Sequence, residues 1–180
     1  VGLMAGSAFD LTEGWDFSKR RDRKEALKTL SVEDPHIIVL SPPCTVWSIL
    51  RNLSDHKRDP KVVARERQQA RAHLKFSLEL ARLQHKRGRG FIFEQPQSAG
   101  SWSEADVKHM IALPGVYRLV VDMCAYGLAI DRTKNLETQE TGLLSKKPTA
   151  VLTNVPELAE YLNKRCDGTH KHGALLSGTA

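Results

Sequence analysis

The chain is predicted to fold as an α/β domain built on a doubly wound, largely parallel sheet. Short β-branched runs alternate with amphipathic, helix-like stretches along the sequence, the pattern of strands with crossover helices. Proline or glycine punctuates the joins between them. A length of 180 residues with 41% hydrophobic content suits one domain with its own core.

The elements follow in order. Gly6-Ser-Ala-Phe-Asp-Leu11 reads as the end of a strand, followed by a polar turn and a short helix around Lys24–Leu30. His36-Ile-Ile-Val-Leu40 is a continuous apolar run, expected to be a strand buried on both faces. It stops at Ser41-Pro42-Pro43 because proline cannot donate to a sheet ladder. From about Val62 to Lys86 the period becomes helical, with Val63, Ala70, Leu74, Leu78 and Ala81 on one face, and Gly88 and Gly90 end it. Gly90–Glu94 is a second buried strand, cut off at Pro96. Ser103 is placed as the cap of the next helix, with acids in its first turn. Tyr117–Cys124 and Pro148–Thr153 read as strands, and Pro156–Arg165 as a last helix opened by proline.

In such sheets ligands bind beyond the carboxyl ends of the strands. The two most unusual segments, Ser41-Pro-Pro-Cys44 and Glu94-Gln-Pro96, fall at those ends.

Composition narrows the class. No apolar run approaches the roughly 18 residues that span a bilayer, and the opening residues lack the basic and apolar regions of a signal peptide. Three cysteines, at 44, 124 and 166, do not suggest a disulfide framework, so an intracellular setting, nucleus or cytoplasm, is expected. The net charge of +6 is concentrated: eleven Lys or Arg face three acids between His56 and Arg89. That stretch is either a solvated helix face or one that contacts phosphates.

The candidate chemistry centres on Cys44. The two prolines before it stiffen the loop and hold the thiol in place, and nearby cations or helix N-termini would give it thiolate character. The plainer reading is a small buried hydrophobe at a strand end. For Glu94 the plainer reading is a strand-end carboxylate capping a neighbouring helix.

Pro43-Cys44 followed by Trp47-Ser48, then Phe93-Glu94-Gln95-Pro96 at the next strand end, resembles the DNA (cytosine-5) methyltransferase family. Thr45 stands where that family has glutamine and Trp47 where it has phenylalanine, while Gln95 and Pro96 replace its asparagine and valine. Tyr126-Gly127 leading to Arg132 and Lys134 is similar to the family's run ending in Gln-x-Arg-x-Arg, with Ile130 in place of the glutamine. Lysine does not reproduce a bidentate guanidinium contact. Phe9-Asp10-Leu11-Thr12 looks like the acidic strand end that contacts the adenine of S-adenosylmethionine.

The resemblance covers residues 9–134 best. It implies a single catalytic domain over 1–180, with 1–134 matching and 135–180 divergent, on a Rossmann-like fold of the class I S-adenosylmethionine-dependent methyltransferases. Lys147-Pro148-Thr149, Asn154 and the Cys166/His170 region are similar to divergent members from phages and mobile elements. By the same resemblance Cys44, Glu94 and Arg132 are catalytic, Asp10 and Pro42 bind S-adenosylmethionine, Ser48, Gln95 and Lys134 contact the substrate, and DNA is the partner. The family's glycine-rich cofactor loop is missing, so either it lies upstream of Val1 or the domain is degenerate.

That chemistry is physically coherent. Cytosine C5 becomes nucleophilic once a thiolate adds to C6, a carboxyl at N3 stabilises the adduct by sharing a proton, and the base must leave the duplex stack. Two alternatives stay open: an exocyclic-amine methyltransferase, whose Ser-Pro-Pro-aromatic loop Ser41-Pro42-Pro43 half matches, and a non-catalytic nucleic-acid-binding domain derived from a methyltransferase.

Cys166, His170 and His172 form a Cys-x3-His-x-His arrangement that can supply metal ligands, with Cys124 as a fourth from a distant strand end. No paired-cysteine knuckle accompanies it, and the segment is read as a polar tail without a metal.

Overall fold

A computed structural model describes residues 4–129 and 143–173. Four strands, β1 (Ile37–Leu40), β2 (Gly90–Pro96), β3 (Tyr117–Asp122) and β4 (Pro148–Thr153), form one sheet in the order β1-β2-β4-β3. β1 pairs parallel to β2, whereas β4 runs antiparallel to both β2 and β3. The α/β class therefore holds, and the largely parallel sheet expected from the sequence is corrected. One of three pairings is parallel, because β4 inserts head-to-tail between two strands that share a direction.

Helices cover both faces, unequally. The long helix α3 (Pro60–Lys86) lies over β1 and β2 and buries Leu74, Leu78 and Ala81 against Phe91 and Phe93. Asp59 caps it by accepting from Lys61 N at 2.8 Å, and Pro60 occupies the first turn, where its missing N–H is not needed. Helices α1 (Arg20–Glu33) and α4 (Ala105–Ile111) add Ala26, Val107 and Met110 to the same core. On the opposite face α5 (Pro156–Tyr161) meets β3 and β4, over a smaller cluster of Leu119, Val121 and Val151.

That second face is uncovered at β1. Ile37 and Val39 are exposed, Val39 at 69%, so the strand expected to be buried on both faces is an edge strand buried on one.

Other boundaries shift for local reasons. Residues 6–10 form no strand; Asp10 instead caps a short 3-10 turn, Leu11–Glu13. Ser103 ends a 3-10 turn, Gly100–Ser103, and Glu104 precedes α4 without a side-chain cap. β3 stops at Asp122 and continues as the 3-10 turn Met123–Tyr126. Helix α2 (Ile49–Asp55) was not anticipated. Among the described residues no helix is long and apolar enough to cross a membrane.

Candidate active site

The tips of the parallel strands β1 and β2 are locked together. Leu40 pairs with Phe93, which carries Ser41 and Pro42 alongside Glu94 and Gln95. Side chains alternate along β2, so Gln95 points with Phe91 and Phe93 into the α3 core while Glu94 points to the other face with Ile92. Gln95 is buried, and its Nε2 donates to the Pro42 carbonyl at 2.6 Å. The Ser101 hydroxyl donates to Gln95 Oε1 at 3.3 Å.

Glu94 is half-buried, and burial raises its carboxyl above the ordinary value. The Lys147 ammonium and the Ser41 hydroxyl beside it pull the value partly back. Lys147 holds a left-handed backbone, φ 28°, unusual for a residue with a side chain. The sequence placed Ser41 in the Pro-Pro-Cys motif but not beside Glu94, and gave Lys147 no role in the site; the only signal for it was the Lys147-Pro148 pair, whose proline starts the strand lying next to β2.

Cys44 is a half-buried free thiol two residues beyond Pro42. Its carbonyl accepts from Trp47 N at 2.9 Å and opens the 3-10 turn Thr45–Trp47, which buries Trp47 in the core. Ser48 caps α2 by accepting from Arg51 N at 3.1 Å. The structure thus brings Cys44, Glu94, Gln95 and Pro42 to one pair of strand tips. Among the described residues no hydrogen bond joins the Cys44 thiol to Glu94. Arg132 and Lys134 lie outside the described residues.

The two residues assigned to S-adenosylmethionine have hydrogen-bond partners of their own. The exposed Asp10 carboxylate is turned onto its own turn, accepting from Thr12 N at 2.7 Å and Thr12 Oγ1 at 2.6 Å. Those bonds hold it below the usual carboxylate range. The Pro42 carbonyl is already taken by Gln95.

The basic stretch is also more committed than its charge suggests. Six of its eleven cations have acidic partners: Arg58 with Asp55 and Glu66, Arg67 with Asp55, Arg71 with Glu104, Lys75 and Arg82 with Asp106, and Arg89 with Asp34. Arg58 grips Glu66 through two nitrogens at 2.8 Å, and Arg51 reaches the same carboxylate. These cations hold Glu66 down to about 2. Lys57, Lys61, Arg65, Lys86 and Arg87 have no acidic partner within 4.0 Å among the described residues. An open hollow of about 490 Å³, lined in part by Arg58, Arg67 and Arg71, lies where α2 meets α3.

At the same end of the sheet, beyond the tip of β3, Cys124, Cys166, His170 and His172 converge, with one donor atom from each lying within 4.8 Å of the others. The segment after α5, read from the sequence as a polar tail, thus brings Cys166, His170 and His172 to Cys124. No family model, curated protein or solved structure matches the chain.

Proposed function

We propose that the chain acts on cytosine in DNA as a cytosine-5 methyltransferase, with Cys44 as the nucleophile and Glu94 as the carboxyl partner of the base. The observation that carries this reading is the bond from Gln95 to the Pro42 carbonyl, which holds the loop bearing Cys44 against the strand bearing Glu94. Two groups from separate strands must grip one ring, and a buried tie between their strand tips keeps them in register.

Glu94 suits its role. Burial favours its protonated form, and a carboxyl that retains its proton can donate to N3 as the thiolate adds to C6. In that step an S–C6 bond forms and the C5–C6 double bond opens, leaving the electron pair at C5. Once that pair had taken up a methyl group, C5 would carry both methyl and proton, and loss of the proton to a base would re-form the double bond and expel the thiolate. S-adenosylmethionine would be the methyl donor for C5. Asp10 and Pro42 are occupied elsewhere, so its binding is not assigned to them.

That same occupation favours a second reading, a domain that binds nucleic acid and no longer methylates. One experiment separates the two. Wild-type protein is incubated with S-adenosylmethionine and an oligonucleotide carrying 5-fluorocytosine, whose C5 fluorine cannot leave as a proton does. A denaturant-resistant protein–DNA adduct, absent in Cys44→Ser, is expected. DNA binding without an adduct would overturn catalysis in favour of the second reading.

A further inference from the structure

The cluster at the carboxyl end of β3 is assembled by the backbone and not by chance proximity of a loose tail. β3 ends at Asp122, and the next turn buries Cys124 at 3% exposure. After α5 the chain returns to this tip. The Tyr126 hydroxyl donates to the Leu162 carbonyl at 2.8 Å, and Asp122 N donates to the Lys164 carbonyl at 3.1 Å. The Asp122 carboxylate then accepts from Arg165 Nε at 2.8 Å and from Cys166 N at 2.9 Å. Together these bonds fix where Cys166 sits. Gly168, at φ 76°, reverses the chain, and His170 and His172 swing back over the sulfur.

The two sulfur–nitrogen distances at Cys166 are those of ligands around a small cation. Cys166 Sγ lies 3.7 Å from His170 Nε2 and 3.3 Å from His172 Nε2. Zinc bonds of about 2.3 Å to sulfur and 2.0–2.1 Å to nitrogen, at tetrahedral angles, put neighbouring sulfur and nitrogen donors roughly 3.5 Å apart. Hydrogen bonds can link these side chains in pairs, an imidazole N–H giving to a sulfur or a thiol giving to an imidazole, but they do not require donor atoms of four residues to lie within 4.8 Å of one another. A cation at the centre serves all four donors.

The surroundings are also those of a ligand set. Gly168 N donates to Cys166 Sγ at 3.4 Å, a bond that stabilises a thiolate. Asp167 Oδ1 stands 3.6 Å from His170 Nδ1, the ring nitrogen turned away from the cluster, where a carboxylate orients a liganding imidazole. Asp167 is itself held by Thr169 through its backbone N–H at 3.0 Å and its hydroxyl at 2.8 Å.

We propose that Cys124, Cys166, His170 and His172 bind one Zn²⁺ in a closed tetrahedral site. Two thiolates and two imidazoles are donors that zinc prefers over magnesium or calcium. With four protein ligands no position is left for water, so the metal is structural. It ties the end of β3 to the segment that follows α5, across a part of the chain where side-chain packing is thin: among the described residues only Leu119, Val121 and Val151 are buried in that cluster. The site shares no residue with the pair Cys44 and Glu94.

Metal content and cobalt spectroscopy test it. Zinc measured by mass spectrometry on the purified protein should reach one ion per chain. Chelator-stripped protein titrated with Co²⁺ should develop the intense visible bands of a tetrahedral ion together with thiolate-to-cobalt charge transfer. His172→Ala, at an exposed position, and Cys166→Ser should each weaken binding at least tenfold and alter those bands, whereas exposed His109→Ala should change neither. Chelation should lower the Tm of the wild type and leave that of His172→Ala unmoved. Cys124→Ser removes a buried side chain and risks the fold, so the other two variants decide the matter. Cobalt spectra without thiolate character, or identical in wild type, His172→Ala and Cys166→Ser, would overturn the assignment.

Discussion

The Gln95 amide reaches from β2 to the Pro42 carbonyl at 2.6 Å, and both residues are buried. A carbonyl that follows a strand into a proline pair has no ladder partner of its own, and this amide supplies one. Gln95→Leu keeps the volume and removes the donor, leaving the Pro42 carbonyl and the Ser101 hydroxyl unmet. A cost of about 1–3 kcal/mol follows, or a Tm lower by roughly 2–12 °C in a domain of this size. Thermal unfolding measures it. If the tie also registers Cys44 against Glu94, adduct formation should fall further than stability alone explains, when assayed well below the Tm.

Glu94 makes stability depend on pH in a definite sense. Its carboxyl is raised above the ordinary 4.5, chiefly by burial, so over the window just above that value the folded state holds a proton that the unfolded chain has released. Stability from this group is complete below the unfolded value and is lost as pH rises through the folded one. Glu94→Gln has no proton to lose. Its Tm should exceed the wild type's at neutral pH, and the gap should close below about pH 4, beneath the unfolded carboxyl's range. A gap that stays constant with pH would show that Glu94 is not held up by its surroundings.

How much of this was legible in the sequence depends on what each element buries. α3 announces itself because Ala70, Leu74, Leu78 and Ala81 line one buried face, and the structure starts it at Pro60, close to the expected Val62. β4 matches residue for residue, since its proline start and apolar run are both local signals. Its direction is not local. Apolar runs carry no arrow, so the antiparallel insertion between β2 and β3 could not be read. α2 escaped because Ile49, Leu50 and Leu53 are exposed and it is held by the ion pairs of Arg51 and Asp55 with α3, not by a periodic apolar face. At the candidate site the sequence nominated Cys44 and Glu94 through resemblance. The tie through Gln95 depends on strand register, and the meeting of Cys124 with Cys166 depends on a chain return after α5; neither is written in spacing.

The basic stretch divides into cations that hold the fold and cations that are free to meet phosphates. Arg58 belongs to the first kind, gripping Glu66 through two bonds. Lys57, Lys61 and Arg65 are exposed and belong to the second. Lys61→Glu combined with Arg65→Glu should leave the Tm nearly unchanged and weaken binding to duplex DNA. The slope of log affinity against log salt should become shallower by roughly 0.9 for each phosphate no longer neutralised. Arg58→Ala should instead lower the Tm, because it strips Glu66 of its first partner. Fluorescence anisotropy over a salt series, run beside thermal unfolding, distinguishes the two classes. Equal loss of affinity without any change in salt slope would remove this face as the phosphate-binding surface.

Asn154 extends the sheet by a side chain after the backbone of β4 has ended. The register pairs Ile92 with Thr153, so Phe91 faces the next position, where Asn154 Oδ1 accepts its N–H at 2.9 Å. The same amide donates to the Arg89 carbonyl at 2.8 Å and so clamps the turn between α3 and β2. Phe91 is fully buried, and Gly90 beside it has no room for a side chain: a Cβ there would lie 2.8 Å from both Ile37 and Val155. A loosened turn therefore cannot shift inward to find other partners. Asn154→Ala leaves one donor and one acceptor unmet, at about 2 kcal/mol. Asn154→Asp keeps the acceptor for Phe91 but sets a carboxylate against the Arg89 carbonyl, and should cost a comparable amount while protecting the Phe91 amide better. Hydrogen exchange should therefore show the Phe91 amide opening faster in Asn154→Ala than in Asn154→Asp at matched Tm. Equal exchange in the two variants would mean that the backbone, and not Asn154, secures the start of β2.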